Sequence, residues 1–216
     1  MKKVSDSTVL RLSLYRRHLR EFEDQGRETV SSEDLAARAG TTAAQVRKDL
    51  SVFGTFGKRG LGYPVSELAS ALREILGLRR SWRVAVIGAG KIGAALMGYR
   101  EFRAEGFEIV VGFDTDPDKI GATIQGVPVR SDEDMERELA DRGIDIVILA
   151  VPAVAAQPAV DRAVAAGARA ILNFAPVALE IPEGVALRTV NMAVELEGLS
   201  YALTEAARGP RDQEAS

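Results

Sequence analysis

A glycine-rich turn with a carboxylate downstream of it is the most chemically informative feature of the sequence. Gly88, Gly90 and Gly93 form a GxGxxG motif that follows an apolar segment, residues 82–87, and precedes a helix-forming one. In this arrangement backbone N–H groups at a helix N-terminus bind the pyrophosphate of a dinucleotide. Asp114 lies 21 residues after Gly93, where a carboxylate binds both hydroxyls of the adenosine ribose and repels a 2′-phosphate. The pattern predicts a site for NAD that rejects NADP.

The sequence offers few groups that would make such a site catalytic. It contains no Cys and a single His, His18, which excludes disulfides, thiolate metal sites and a His cluster for zinc. A dehydrogenase needs a proton acceptor with a tuned pKa. Beyond residue 83 the candidate bases are Lys91 and Lys119, and Tyr99 is the candidate acid. We therefore predict binding of a dinucleotide without turnover, with no catalytic residue and no metal.

Apolar segments after the glycine motif indicate how the site is built. The run at 144–151 ends at Pro152, and a second strand-like segment spans 169–174, with a helix-forming segment between them. Alternating strands and helices predict a Rossmann-like doubly wound parallel sheet, whose ligands bind at the carboxyl ends of its strands. Val151, Pro152 and Phe174 fall at such ends. As a dry wall without a carboxylate, they are expected to favour the neutral ring of NADH over the charged ring of NAD⁺.

Charge divides the chain into two parts. Residues 1–83 hold 16 Lys and Arg against 10 Asp and Glu, whereas residues 84–216 hold 12 against 21. A basic front part is a candidate for binding a polyanion. The longest apolar run is too short to span a bilayer and the first residues lack a hydrophobic signal region, so we expect a cytoplasmic protein with no membrane partner.

The front part has the sequence pattern of a winged helix. Helices are predicted over 7–22, 32–39 and 43–52, with Gly40 ending the second, and the glycine-rich segment 53–63 predicts a basic β-hairpin. Two helices joined by a short turn with Gly form a helix-turn-helix, whose second helix enters the major groove of DNA. A small helical bundle with a solvated basic face is the alternative. The predicted DNA contacts are Gln45, Arg47, Lys48 and Ser51 on the third helix, and Lys58 and Arg59 at the hairpin tip.

A further helix and a C-terminal segment complete the pattern. Pro64 starts an amphipathic helix, and a domain boundary is predicted near Arg80. The last helix either closes the core of the sheet or packs on a second subunit, because its apolar residues follow a heptad spacing. Those residues are Met192, Leu196, Leu199, Leu203 and Ala206. The sequence thus predicts an α/β protein with a winged-helix DNA-binding domain at 1–80, a Rossmann domain at 81–190, a C-terminal dimerisation helix at 191–207 and a flexible tail at 208–216.

Five motifs occur in one order along the chain. They are QVRKDLS at 45–51, GKRGLGY at 57–63, VIGAGKIG at 86–93, ILNFAP at 171–176 and AVELE at 193–197. Together, over about residues 5–204, they resemble the Rex family of redox-sensing transcriptional repressors. Both modules, their order and the C-terminal helix agree with that family.

The resemblance implies a homodimer that binds an inverted-repeat operator in double-stranded DNA when NADH is scarce and releases it when NADH binds. It also implies that the C-terminal helix is swapped and inserts between the two modules of the partner subunit. By similarity, Arg47 and Lys48 serve the major groove and Arg59 the minor groove. NADH and NAD⁺ are then sensed ligands rather than redox substrates.

The resemblance also implies which residues contact the dinucleotide. Residues 88–93 match the pyrophosphate turn, Asp114 the ribose-binding acid, and Tyr99 a tyrosine near the nicotinamide. Asn191 stands where several members have an aspartate that engages such a tyrosine or an arginine of the first helix, here Arg17. An amide can form that hydrogen bond but not the ion pair. The predicted dinucleotide contacts are Gly88, Ala89, Gly90, Lys91, Ile92, Gly93, Tyr99, Asp114, Lys119, Val151, Pro152, Phe174 and Asn191.

Two other classes of protein fit parts of the sequence. One is an enzyme, either a small NAD-dependent oxidoreductase or a CoA-ligase-like nucleotide module fused to a basic adaptor. The other is a DNA-binding protein whose Rossmann module serves only as a dimerisation scaffold. Turnover of NADH would favour the first, and absence of any dinucleotide binding would favour the second.

Overall fold

Helices with one apolar face make up most of the first unit. In the computed structural model, which describes residues 4–57 and 60–208, the chain divides into two units, 1–80 and 81–216. The described part of unit 1 contains α1 (Asp6–Asp24), β1 (Thr29–Val30), α2 (Ser32–Ala39), α3 (Ala43–Ser51), β2 (Tyr63–Pro64) and α4 (Val65–Ile75).

Side-chain caps fix where these helices begin. The hydroxyl of Ser5 accepts a hydrogen bond from the backbone N–H of Thr8 at the start of α1. Ser31 and Asp34 form a reciprocal capping box at the start of α2, and Gly40 ends α2 in the left-handed conformation. These boundaries agree with the helices predicted from the sequence.

One apolar core holds unit 1 together. Tyr15, Leu19 and Phe22 of α1 are buried against the other helices, with Val46 of α3 and Leu68 of α4 among their neighbours. Burial of side chains of this size stabilises the fold by about 1.5–3 kcal/mol each. The helix-turn-helix elements α2 and α3 therefore rest on α1 and α4.

The described residues show only part of the predicted β-hairpin at 53–63, with a single β-bridge at Gly62. The strand pairing in unit 1 is between β1 and β2, which are antiparallel, with Val30 opposite Tyr63. Among the described residues of 53–62 there is no extended strand. The pairing partner of Tyr63 comes from a distant part of the chain, and the predicted hairpin tip, residues 58 and 59, lies outside the described residues.

The second unit is an alternation of strands and helices. Its described elements are β3 (Trp82–Ile87), α5 (Lys91–Met97), α6 (Arg100–Ala104), β4 (Phe107–Asp114), β5 (Thr123–Ile124), β6 (Val127–Ser131), a 3₁₀ helix (Asp132–Asp134), α7 (Met135–Asp141), β7 (Ile146–Leu149), α8 (Ala153–Ala165), β8 (Ala170–Asn173), β9 (Ala186–Thr189) and α9 (Met192–Arg208). β3 starts at Trp82, the single tryptophan of the sequence, whose backbone N–H donates to the carbonyl of Gly106 at 2.8 Å.

The strands form one sheet in the order β5-β6-β4-β3-β7-β8-β9. β5 and β6 pair antiparallel, and every other neighbouring pair is parallel. The chain builds the sheet from β3 to one side through β4 and β6 and then returns to the other side with β7. The switch point therefore lies between β3 and β7, where ligands bind in such sheets. The predicted doubly wound parallel sheet is confirmed.

Apolar layers cover both faces of the sheet. On one face, Ile87, Phe113 and Leu149 of the strands are buried together with Leu139 of α7 and Val160 of α8. On the other, the strands pack against a cluster that includes Met97 of α5. The central strands are therefore buried on both sides, as continuous apolar runs require.

α9 lies outside these cores. Its residues from 192 to 206 are exposed in the single chain, and Leu196, Leu199 and Leu203 are 66%, 62% and 73% exposed. The heptad spacing left two alternatives for this helix, closing the core of the sheet or packing on a second subunit. In the structure, α9 does not close the core of the sheet. Within the described residues, no helix is both long and apolar enough to cross a membrane.

Candidate functional site

The glycine turn connects β3 to α5 at the carboxyl edge of the sheet. Gly88 adopts a φ of 94°, and Gly90 is the N-cap of α5. A Cβ at Gly93 would lie 1.8 Å from the carbonyl oxygen of Gly88, so a larger residue there would push the helix away from the turn. The first N–H groups of a helix have no partner within it. The turn therefore brings backbone donors to the position at which the sequence predicts a phosphate.

Asp114 ends β4 beside this turn and is tied to it. Its Oδ2 accepts the N–H of Ala89 at 2.8 Å, and its Oδ1 accepts the N–H of Asp116 at 2.9 Å. Lys119 Nζ lies 3.2 Å from Asp114 Oδ2 and 3.2 Å from the carboxylate of Asp116. The Asp114 side chain is 11% exposed. Burial by itself raises the pKa of Asp114, but the hydrogen bonds from Asp116, Ala89 and Lys119 outweigh it and leave the pKa below its usual value. The carboxylate is therefore ionised at neutral pH.

A cavity of about 540 Å³ opens between the glycine turn and α8. Six of the predicted dinucleotide contacts line it, and they come from the ends of β3, β4 and β7: Gly88, Gly90, Asp114, Lys119, Val151 and Pro152. Residues that the sequence analysis did not single out complete the lining: Ile87, Phe113, Thr115, Asp116, Asp132, Ala150, Ala155, Pro158, Ala159 and Arg162. The size and position of the cavity fit one end of a dinucleotide at the switch point.

Arg162 is the cation on the α8 side of the cavity, and its position is fixed. Its guanidinium donates to Glu136 Oε2 at 2.8 Å and to the carbonyl of Asp132 at 2.6 Å, and it also pairs with the Asp132 carboxylate. The hydrogen bond from Arg162, with help from the Glu136 backbone N–H, lowers the pKa of Glu136 to about 2. No sequence motif marks this group, because its members come from separate elements and meet only in the folded chain.

The turn after β8 holds Phe174. Asn173 is fully buried; its side-chain amide donates to the carbonyls of Ala175 and Val177 at 3.1 Å, and its Oδ1 accepts the N–H of Ala175 at 2.8 Å. Phe174 packs with the cluster on the α5 face, whereas Val151 packs on the opposite face. The predicted wall residues thus follow adjacent strands, but Phe174 does not line the cavity around Asp114.

The other predicted contacts are spread along unit 2. Ala89 is buried with its N–H bound to Asp114, and Lys91 and Ile92 are exposed on the first turn of α5. Tyr99 donates to Glu101 Oε2 at 2.9 Å and lines a separate cavity of about 630 Å³. Asn191 precedes α9, where its Oδ1 accepts the N–H of Ala193 at 3.0 Å.

α3 presents three of the predicted DNA contacts on its surface. Arg47, Lys48 and Ser51 are exposed and Gln45 is half-buried. The hydroxyl of Ser51 donates to the carbonyl of Lys48 at 2.8 Å. The other two predicted contacts, Lys58 and Arg59, lie outside the described residues. The two basic side chains of α3, Arg47 and Lys48, are thus accessible from solvent.

Beneath this surface, a buried carboxylate joins α3 to α1. Asp49 is 2% exposed. It receives a bidentate pair of hydrogen bonds from Arg11 at 2.6 and 2.8 Å, one from Tyr15 at 3.0 Å and one from Gln45 at 2.7 Å. Burial by itself raises the pKa of Asp49, but the hydrogen bonds, led by that from Arg11, lower it overall. Burial and then the bond to Asp49 raise the pKa of Tyr15 to about 12. Gln45, a predicted DNA contact, thus donates a hydrogen bond to a buried carboxylate inside unit 1.

No group of three or more His, Asp or Glu side chains in the described parts of the chain is arranged to hold a metal ion.

Comparison with known proteins identifies the family. The chain matches the model of a CoA binding domain over residues 79–177 and that of a putative DNA-binding protein N-terminus over residues 3–51. It is 46% identical to the redox-sensing transcriptional repressor Rex of Roseiflexus sp. (strain RS-1), over 94% of this chain and 92% of that protein. The chain belongs to the Rex family. The Rex protein of Streptomyces coelicolor is 43% identical, over 92% of this chain and 77% of its own length.

Solved structures of a Rex-family repressor are similar to this chain over residues of both units. The crystal structure of RSP in complex with β-NAD⁺ and operator DNA is 38% identical and covers 100% of both chains, with a TM-score of 0.91. The structure of RSP with β-NADH is also 38% identical, covers 96% of this chain and 97% of its own, and has a TM-score of 0.87. The resemblance to Rex drawn from the five sequence motifs is confirmed, and the CoA-binding match covers the strands from β3 to β8.

Proposed function

We propose that this chain is a homodimeric transcriptional repressor that senses the ratio of NADH to NAD⁺. The observation that carries the proposal is the likeness, over the whole chain, to a Rex-family repressor solved with β-NAD⁺ and operator DNA. Unit 1 binds an inverted-repeat operator in double-stranded DNA, and unit 2 binds the dinucleotide as a sensed ligand. A repressor acts where the chromosome is, so we place the protein in the cytoplasm.

In the DNA complex, α3 enters the major groove. Arg47 contacts a base edge, and Lys48 and Ser51 contact phosphates or base edges, since an arginine fork matches guanine whereas lysine acts as a point charge. Lys58 and Arg59 follow the phosphates or the minor groove next to it. The buried Asp49 keeps α3 at a fixed orientation to α1, which supports a defined register on the duplex.

The dinucleotide lies across the carboxyl edge of the sheet. The glycine turn binds the pyrophosphate with N–H groups that follow Ala89, because the Ala89 N–H is already bound to Asp114. Asp114 accepts the ribose hydroxyls and excludes the 2′-phosphate of NADP(H) by charge repulsion. The nicotinamide end extends toward Val151, Pro152 and Phe174.

Charge distinguishes the two redox forms. NAD⁺ carries a positive ring that NADH lacks, and apolar side chains such as those of Val151, Pro152 and Phe174 disfavour a buried cation. NADH lowers DNA affinity only as far as it binds the DNA-incompetent arrangement of the dimer more tightly. A hundredfold loss of operator affinity corresponds to about 2.7 kcal/mol of coupling. A change in the spacing of the two DNA-binding units supplies such a coupling, because half-site spacing on DNA is fixed.

The site binds the dinucleotide without turning it over. Tyr99 and Lys91 are exposed and lie outside the cavity that contains Asp114, and Lys119 is engaged by two carboxylates. None of these side chains is placed as the proton acceptor that a dehydrogenase needs.

Fluorescence anisotropy of a labelled operator tests the proposal. An inverted-repeat duplex is selected from random DNA with the full chain and then titrated with NADH and, separately, with NAD⁺ at fixed salt, because affinity for DNA depends on salt. We expect release by NADH and much weaker release by NAD⁺. Equal DNA affinity with and without NADH would refute redox sensing.

The same experiment separates the alternatives. Tight DNA binding indifferent to both dinucleotides would make unit 2 a dimerisation scaffold. Absence of DNA binding, together with loss of NADH absorbance in the presence of simple carbonyl compounds, would identify an enzyme instead.

A further inference from the structure

The side chain of Arg47 is held along one of its edges. Its Nη1 donates to the hydroxyl of Ser32 at 2.7 Å and lies 3.3 Å from Glu33 Oε1. The Ser32 hydroxyl in turn donates to Glu33 Oε2 at 3.2 Å. Arg47, Ser32 and Glu33 therefore form a closed set of hydrogen bonds between α3 and the first turn of α2, which we call the Arg47 clamp.

The base of the clamp is rigid. Ser32 is 8% exposed, and it follows Ser31, whose hydroxyl accepts the N–H of Asp34 at 3.0 Å while Asp34 accepts the N–H of Ser31 at 2.9 Å. This capping box fixes the first turn of α2. The acceptors that Arg47 meets are thus anchored to the backbone of a neighbouring helix, although the Arg47 side chain itself is 55% exposed.

The clamp leaves one edge of the guanidinium available. A guanidinium can donate two parallel hydrogen bonds through the Nη1–Nη2 edge or through the Nε–Nη2 edge. Within the described residues, the hydrogen bonds of Arg47 are made by Nη1 alone. With Nη1 occupied, the Nε–Nη2 edge is the one that can make a bidentate contact, and guanine O6 and N7 form the matching pair of acceptors in the major groove.

We propose that Ser32 and Glu33 are specificity-determining positioning residues, which present the Nε–Nη2 edge of Arg47 to a guanine of the operator. This inference rests on the proposed function. Ser32 and Glu33 themselves need not touch DNA, because they act through the orientation of Arg47.

Glu33 gives the proposal a distinctive signature. Its own backbone N–H, the Ser32 hydroxyl and Arg47 together hold the pKa of Glu33 below its usual value, so the group is ionised at neutral pH. A carboxylate close to the DNA-binding face is repelled by any phosphate backbone, whatever the base sequence. Glu33 should therefore weaken binding to all DNA while it sharpens the choice of base. A residue that merely stabilises the fold would do neither.

The test is a double-mutant cycle. For each variant, the measured quantity is the ratio of its affinities for duplexes that differ at one base pair. Affinities of the full chain are measured for the selected operator, for duplexes in which each G·C pair of one half-site is replaced in turn by A·T, and for a scrambled duplex. The variants are Ser32→Ala, Glu33→Gln and Arg47→Ala, and the two doubles with Arg47→Ala. Glu67→Gln is the matched control, because it removes an exposed carboxylate from the first turn of α4 in the same unit.

We expect wild type to prefer guanine about tenfold or more at one position per half-site. Ser32→Ala and Glu33→Gln should each reduce that preference about threefold to tenfold and leave other positions unchanged. Glu33→Gln should also tighten binding to the scrambled duplex about twofold. In the Arg47→Ala background, neither substitution should alter base preference. Thermal unfolding and NADH affinity should match wild type throughout.

Three results would overturn the inference. The first is that Arg47→Ala abolishes the guanine preference while Ser32→Ala and Glu33→Gln leave it intact, which would leave the proposed function standing. The second is that the two substitutions have the same effect without Arg47, since they would then act by another route. The third is that wild type shows no preference among duplexes, which would refute the proposed function together with the inference.

Discussion

Asp114 does two things at the scale of a single residue. Its carboxylate is proposed to bind the ribose, and its Oδ2 also accepts the N–H of Ala89 in the glycine turn. The same carboxylate thus positions the turn and, in the proposed function, selects the ligand. The N–H groups of Asp116 and Ala89, together with Lys119 at 3.2 Å, lower the pKa of Asp114, so the carboxylate remains ionised although it is largely buried.

Substitution of Asp114 should change both affinity and selectivity. We expect Asp114→Ala to weaken NADH binding and to reduce the discrimination against NADPH, because the repulsion of the 2′-phosphate is lost. Titration calorimetry with both nucleotides measures the ratio of affinities. Asp118→Ala, which removes an exposed charge four residues away, is the control. An unchanged ratio for Asp114→Ala would mean that the ribose is read elsewhere.

At the scale of elements, the Asp49 cluster determines how α3 sits on α1. Arg11 and Tyr15 come from α1 and Gln45 and Asp49 from α3, so four side chains connect two helices that are distant in sequence. Loss of one member of a buried charged pair leaves the other without its partner. The orientation of α3, the proposed recognition helix, therefore depends on a buried carboxylate.

The stability of unit 1 should depend on the ionisation of this cluster. Folding lowers the pKa of Asp49. The ionised carboxylate therefore adds to the free energy of unfolding above its unfolded pKa of about 4, and this stabilisation is lost as the pH falls through the folded pKa. Because the pKa of Tyr15 is raised to about 12, the stabilisation from its protonated hydroxyl is present below about pH 10 and is lost as the pH rises toward 12.

Substitution of Asp49 tests this dependence. We expect Asp49→Asn to lower the free energy of unfolding by about 3 kcal/mol at pH 7 and to reduce the fall of that free energy at acid pH. Urea unfolding at a series of pH values measures this, with Asp24→Asn, at the end of α1, as control. An acid limb equal to that of wild type would contradict it.

Some elements could be predicted from the sequence because their signals are local. Capping residues and apolar spacing predicted α1, α2 and α3, and the glycine motif between a strand and a helix predicted the turn next to Asp114. The pairing of Val30 with Tyr63 could not be predicted, because a two-residue strand has no periodicity. Arg162 and the Arg47 clamp were missed for a related reason. Their partners lie on other helices, and only packing brings them together.

At the scale of the whole molecule, α9 carries an apolar stripe that the single chain leaves exposed. The proposed homodimer gives this stripe a partner, since exposed leucines at heptad spacing are typical of a helix that packs on another chain. Two half-sites of an operator also require two copies of unit 1. Dimer formation and DNA binding are therefore expected to fail together.

Charges placed on this stripe should separate the subunits. We expect the double substitution Leu199→Glu and Leu203→Glu to shift the protein from dimer to monomer in sedimentation velocity and to weaken operator binding strongly. Thr204→Glu is the control, because residue 204 lies about 140° around the helix from Leu199. A variant that remained dimeric with full operator affinity would show that the subunits associate elsewhere.

The position of Trp82 has a spectroscopic consequence. It is the single tryptophan of the sequence and the first residue of β3, and the same strand ends at the glycine turn, about 20 Å further on. Reduced nicotinamide absorbs light at the wavelengths where indole emits, whereas oxidised nicotinamide does not. Resonance energy transfer from Trp82 would thus occur with one form of the dinucleotide only. The protein would carry its own optical read-out of redox state, free of any attached dye.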